Sequence, residues 1–222
     1  MMSIAKRIRK LPLKLNKPDN YPIIYHLKLG NKDKARRIEK HFCNDAQCNG
    51  FSKPVTLSKT PKLYVVRSMN KKVLYVGYAD QSITNRMRYG LDPKYQKGYN
   101  GYGWMMQAEV ELLIWVFEPF KTGLKKGDKE YDTYKRSIEC IEAEIVFYIR
   151  EETKEWPQFQ REIHFGNENR EEVMKSVQDI IQYLKQNSNV VPMLYHLNEK
   201  CLKALPVKHL IVLKVIPLGL QK

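Results

Sequence analysis

At 222 residues, 43% of them hydrophobic, the chain suits one ordinary domain with extensions and is too apolar for a disordered tail. Its 39 Lys/Arg against 24 Asp/Glu give a formal net charge of +15, more than solubility alone asks for, which points to a polyanionic partner. Four scattered cysteines argue against a disulfide framework, the charged start lacks the apolar run of a signal peptide, and the longest apolar run, Leu112 to Phe117, is too short to span a bilayer; a soluble, cytoplasmic protein with no membrane contact is expected.

The first 60 residues hold 14 Lys/Arg against 4 Asp/Glu, a basic arm suited to a nucleic-acid backbone. Within it, residues 1–20 are expected to be irregular, Pro22 to Leu29 a strand or extended segment, Asp33 to Phe42 a short basic helix, and Asn44 to Lys59 a loop. Leu63 to Ser68 and Val73 to Tyr78 are rich in Val, Leu and Tyr and flank the polar tetrad Met69-Asn70-Lys71-Lys72, which predicts a β-hairpin. Asp80 or Ser82 offers the N-cap of a helix through Tyr89, with Gly90 to end it. After a loop rich in glycine and tyrosine (Gly98 to Trp104), Glu109 to Phe117 reads as a third, buried strand. Ile138, Ile141, Ile145, Tyr148 and Ile149 form one stripe of a helix from about Tyr131 to Glu152. Val173, Val177, Ile180, Ile181 and Leu184 give a second helix its buried face, with Asn169 and Glu172 as a capping box, and His209 to Ile216 reads as a late strand. The sum is an α+β chain with a small, three-stranded antiparallel sheet flanked by helices.

The hairpin and the helix after it place two phenols, a glycine and an arginine in one compact unit. Tyr64 and Tyr75 sit on paired strands and can flank one pocket; Arg86 can lower a phenol's pKa and hold a phosphate oxygen; Gly77 permits close approach of backbone. Singly, a strand tyrosine is ordinary packing and a surface arginine an ordinary solvated charge, so the weight falls on the joint arrangement.

That arrangement, Leu63-Tyr64-Val65-Val66, then Leu74-Tyr75-Val76-Gly77, then Ile83-x-x-Arg86, resembles the signature of the GIY-YIG nuclease superfamily over about residues 61–156. The first glycine of the signature is replaced by Lys62, and Gly90 stands where several members carry a histidine. The resemblance implies a metal-dependent endonuclease that hydrolyses phosphodiester bonds in DNA, of restriction, repair or mobile-element type; the alternative is a catalytically inactive nucleic-acid-binding module of the same fold. It implies a catalytic domain at residues 59–166 between a basic N-terminal extension (1–58) and a C-terminal helix and strand extension (167–222). Tyr64 would be the general base or water-orienting phenol, Tyr75 would position it or touch the phosphate, and Arg86 would stabilise phosphoryl charge. Glu142, followed by Ile145 and Val146 on the long helix, would hold one Mg²⁺ or Mn²⁺, with Glu144 second in line. Gly77, Arg88 and Tyr89 would meet the nucleic acid. Tyr89 or His164 would compensate for the missing histidine, Asn167 or Asn169 would supply the family's asparagine, and Lys94, Lys97, Lys121, Lys125 and Lys126 would extend a phosphate-contacting face.

Overall fold

The computed structural model describes residues 22–32, 35–43, 46–53, 56, 59–91, 100–117, 124–164, 170–188 and 212–214. Its elements run β1 (Ile23–Lys32), β2 (Ala35–Cys43), β3 (Ala46–Cys48), β4 (Lys62–Arg67), β5 (Val73–Ala79), α1 (Ile83–Leu91), a 3₁₀ helix (Asn100–Met106), β6 (Glu109–Val116), α2 (Tyr131–Thr153), β7 (Glu162–His164), α3 (Arg170–Gln186) and β8 (Val212–Lys214).

The expected three-stranded sheet is corrected to a six-stranded one, in the order β3-β2-β1-β6-β4-β5, with every neighbouring pair antiparallel. Strands β4, β5 and β6 are the three expected in the sheet; β1 falls on the segment expected to be a strand or extended (Pro22 to Leu29), and it brings β2 and β3 of the basic N-terminal stretch into the same sheet. The segment expected to be a basic helix, Asp33 to Phe42, holds strand β2 instead. Its Ala, Arg, Glu and Lys favour helix, yet pairing with β1 from Tyr25↔Cys43 to Lys32↔Ala35 satisfies its backbone, and tertiary pairing overrides a weak local preference. The loop expected at Asn44 to Lys59 contains the three-residue β3. Residues 1–20, and the Asn169 of the expected capping box, lie outside the described residues.

Both faces of the sheet are used. On one, Tyr25, Leu27, Tyr64, Val66, Leu112 and Ile114 pack beneath Phe51 after β3, beneath Ile83 and Met87 of α1, and beneath Tyr102, Trp104 and Met105 of the 3₁₀ helix. On the other, Leu63, Val65, Val76, Leu113 and Trp115 meet the apolar stripes of α2 (Ile138, Ile141, Ile145) and α3 (Val173, Val177, Ile180). This explains why β4 is buried along its whole length and β6 from Leu112 onward: both are covered from two sides. Short strands β7 and β8 pair with each other.

Two polar devices tie the layers. Arg67, 3% exposed, donates to Glu111 on β6 (2.6 Å) and to the Asn187 carbonyl just beyond α3 (3.1 Å), while Lys71 donates to the other Glu111 oxygen (2.8 Å). Along the outer border of β5, Phe159 N–H donates to the Leu74 carbonyl (3.0 Å) and the Gln160 side-chain oxygen accepts from Val76 N–H (3.1 Å), so the segment before β7 takes the place of a further strand.

Arg67→Ala is expected to lower stability by about 2 kcal/mol, because it leaves the largely buried Glu111 carboxylate with Lys71 alone of its two cations and the Asn187 carbonyl without its guanidinium donor. Urea unfolding measures this; an unchanged midpoint would show that the pair holds nothing together.

Candidate functional site

Strand register fixes the first contacts. Tyr64 on β4 lies opposite Gly77 on β5, and Tyr75 lies opposite Val66, so the two phenols are diagonal neighbours on one face. Their rings are 5.9 Å apart at 35°. A Cβ added at Gly77 would come 2.5 Å from Cζ of Tyr64 and 2.6 Å from the Tyr75 ring, well inside contact distance. Gly77 therefore gives the room in which both rings lie; it is itself buried.

Helix α1 starts directly after β5. Ser82 caps it, accepting from Asn85 N–H through its hydroxyl (3.2 Å) and from Arg86 N–H through its carbonyl (2.9 Å). One turn in, the Arg86 Nε donates to the Tyr64 hydroxyl at 3.3 Å. The Arg86 guanidinium also stands over the Tyr102 ring, 5.7 Å from its centroid, and the Tyr102 hydroxyl donates to the Arg86 carbonyl at 2.8 Å. Arg86 is thus held from two sides, by a hydrogen bond and by a cation–π contact.

Where the signature's first glycine is replaced, Lys62 is fully buried at the end of the same face. Its ammonium donates to the carbonyls of Thr60 (2.5 Å) and Gln81 (3.1 Å), and burial pushes its pKa down to about 8 against the pull of Asp80. This lysine fastens the chain entering β4 to the turn that launches α1.

Glu142 enters from α2, which packs along the outer strand β5. Burial raises its pKa to about 8, opposed by the positive charge of Arg86 and aided by Glu139. The same carboxylate acts on Tyr64, Tyr75 and Tyr78. Glu142 acts on Tyr64, Tyr75 and Arg86, whereas Glu139 acts on Tyr78 and lies 3.8 Å from Lys135.

Tyr64, Tyr75, Arg86 and Glu142, from four separate elements, therefore come together. They differ in access: Tyr64 is fully buried, whereas Tyr75, Arg86 and Glu142 are each partly exposed. Burial is the largest influence on both phenols and raises them, for Tyr75 well above the usual phenol range, and the nearby Arg86 only partly opposes it. Arg86 is pushed up by the phenols around it, Tyr64 first, and stays charged. A phenol in this setting keeps its proton near neutrality, so it can orient a group but is a poor base.

Arg88 is exposed on α1, and Tyr89 follows it on that helix. His164 lies on β7; Lys125 and Lys126 are exposed. Lys94, Lys97, Lys121, Tyr99, Asn167 and Asn169 fall outside the described residues. Sequence reasoning did not assign Tyr102 to the site. Its signal was only its place in a loop of glycines and aromatics, and its contact with Arg86 arises from tertiary packing.

Among the described residues, no group of three His, Cys, Asp or Glu side chains is arranged to hold a metal ion, and no helix is long and apolar enough to cross a membrane. No family model, curated protein or solved structure matches the chain.

Two outcomes are expected. Gly77→Ala should cost about 1–3 kcal/mol and displace both rings, since Tyr64 has no free space to retreat into; unchanged thermal unfolding together with unchanged tyrosine fluorescence would show that the rings yield freely. The raised Glu142 pKa favours the folded state below about 4.5, and that contribution is lost as pH rises through about 8. In chelator-containing buffer, Glu142→Gln should therefore melt above the parent chain at pH 8.5 and close to it at pH 4.5; parallel curves across that range would contradict a buried acid.

Proposed function

We propose that this chain is a metal-dependent endonuclease that hydrolyses phosphodiester bonds in DNA with a GIY-YIG-like site. The observation that carries the reading is the joint placement of Arg86 on the Tyr64 hydroxyl with Tyr75 and Glu142 beside it. Ionisable groups with perturbed pKa values, gathered from four elements, are the pattern that functional sites tend to show.

In this reading Tyr75, Arg86 and Glu142 face the substrate, and the buried Tyr64 positions Arg86 from beneath. Arg86 binds a non-bridging phosphoryl oxygen and stabilises the charge that grows on it. Tyr75 donates its proton in a hydrogen bond that orients the phosphate or the attacking water. Tyr102 keeps the guanidinium over its ring and limits its swing. Arg88 and Tyr89, further along α1, meet the DNA backbone.

The donors at this place are oxygens, one carboxylate among phenols, which suits Mg²⁺ or Mn²⁺ with most of its own waters retained. Glu142 would hold that ion, and the ion would relieve charge on the phosphoryl oxygens. Binding it must displace the proton that burial keeps on Glu142 near neutral pH.

A second reading is favoured by one observation: Tyr64 is fully buried, and burial raises its pKa. A non-catalytic DNA-binding module of the same fold would tolerate that. Plasmid nicking with Mg²⁺ or Mn²⁺ separates the two. The parent chain is expected to nick, and Arg86→Ala and Glu142→Ala to lose about 100-fold or more. Equal cleavage by all three would reject the site; no cleavage by any, with DNA binding intact, would favour the module.

A further inference from the structure

The face of the sheet that α2 and α3 cover on β4 and β6 continues across β1, β2 and β3, and there it is open in part. Register sets side chains into two rows across those strands. One runs Gln47, Phe42, His26, Glu111; the other runs Lys40, Lys28, Glu109. Lys28 is 44% and His26 30% exposed at the side chain; Lys40 and Gln47 are exposed, and Phe42 is half-buried.

Phe42 and His26 are directly opposed, with ring centroids 5.6 Å apart at 34°. The Lys28 ammonium stands 6.0 Å from the Phe42 ring centroid. Cations outnumber carboxylates here. Lys28, Arg37, Lys40 and Lys71 stand against Glu39 (4.0 Å from Arg37), Glu109, which His26 and Lys28 engage at 3.0 and 3.1 Å, and Glu111, which Lys71 and the buried Arg67 engage. A face meant only for water has no need of two neighbouring rings on an open sheet, and a face meant for an apolar partner would not ring them with lysines.

We propose that this open face is a platform for unpaired nucleotides, with a base stacking on the Phe42–His26 pair and phosphates meeting Lys28 and Lys40. Adjacent aromatic rings within a cationic surface are what single-stranded nucleic acid needs, since every base has a π-face and every linkage a charge. Of the polyanions that a net charge of +15 attracts, an acidic peptide would use the lysines but leave the rings idle. The proposal rests on the nucleic-acid partner of the nuclease reading and not on cleavage.

The test is fluorescence anisotropy of a labelled oligothymidine and of its duplex form with the full chain, in EDTA. Phe42→Ala and Phe42→Leu should each weaken single-strand binding five-fold or more, while Phe42→Trp keeps it. Phe42→Leu retains apolar bulk and so guards against a folding defect, read in parallel by thermal unfolding. Lys40→Ala should reduce the slope of log affinity against log salt by about 0.7.

Parent-like binding by Phe42→Leu, or competition by polyglutamate as strong as by unlabelled oligothymidine, would overturn the platform. So would an equal loss of single-strand and duplex binding in Phe42→Leu. Absent nicking with binding that depends on Phe42 would remove the nuclease reading and keep the platform; nicking with binding indifferent to Phe42 would do the reverse.

Discussion

The Tyr64 ring lies across Gly77 and offers its hydroxyl to Arg86, and the geometry of the site follows from that placement. The ring can reach α1 only because the opposed position on β5 has no side chain. Given the ring, Arg86 acquires a fixed partner, and Tyr75, two residues before the glycine on the same face, falls beside it. The guanidinium then opposes, without cancelling, the burial that raises the pKa of Glu142 on α2. Remove the vacancy at Gly77 and the phenols, the arginine and the acid lose their common frame.

The two faces of the sheet divide the work. One carries the phenols under α1 and the 3₁₀ helix; the other carries the apolar contact with α2 and α3. Glu142 belongs to the second layer yet acts on groups of the first. That is possible because β5 is the outermost strand, so a helix packed along it also borders what lies on the far side. The same two-sided plan leaves β1 to β3 with one covered and one partly open face, and the open one carries Phe42, His26 and lysines.

Much of this was legible from residue pattern. The hairpin, the buried β6, and the apolar stripes of α2 and α3 follow hydrophobic periods of two and 3.6, and Ser82 caps α1 as its residue type suggests. The nearness of Tyr64, Tyr75 and Arg86 follows from a local hairpin and the helix after it, whereas Glu142 was pointed to by the family resemblance. Strand β2 was not legible: its sequence is polar and helix-favouring, and what makes it a strand is β1, a partner no local window contains. The width of the sheet was missed for that reason. The two contacts of Tyr102 with Arg86 were not legible, because they depend on how a loop folds back. The burial of Tyr64 and Lys62 was hidden too, since both residue types are common at surfaces.

The hydrogen bonds from Phe159 and Gln160 to the rim of β5 bear on how the molecule tolerates crowding. Unsatisfied rims of sheets invite neighbouring copies to zip together wherever molecules gather. Here one rim is already occupied by the chain's own loop, and the opposite one is only the three residues of β3, too short to template a fibre. Molecules assembled side by side can remain separate and come apart again.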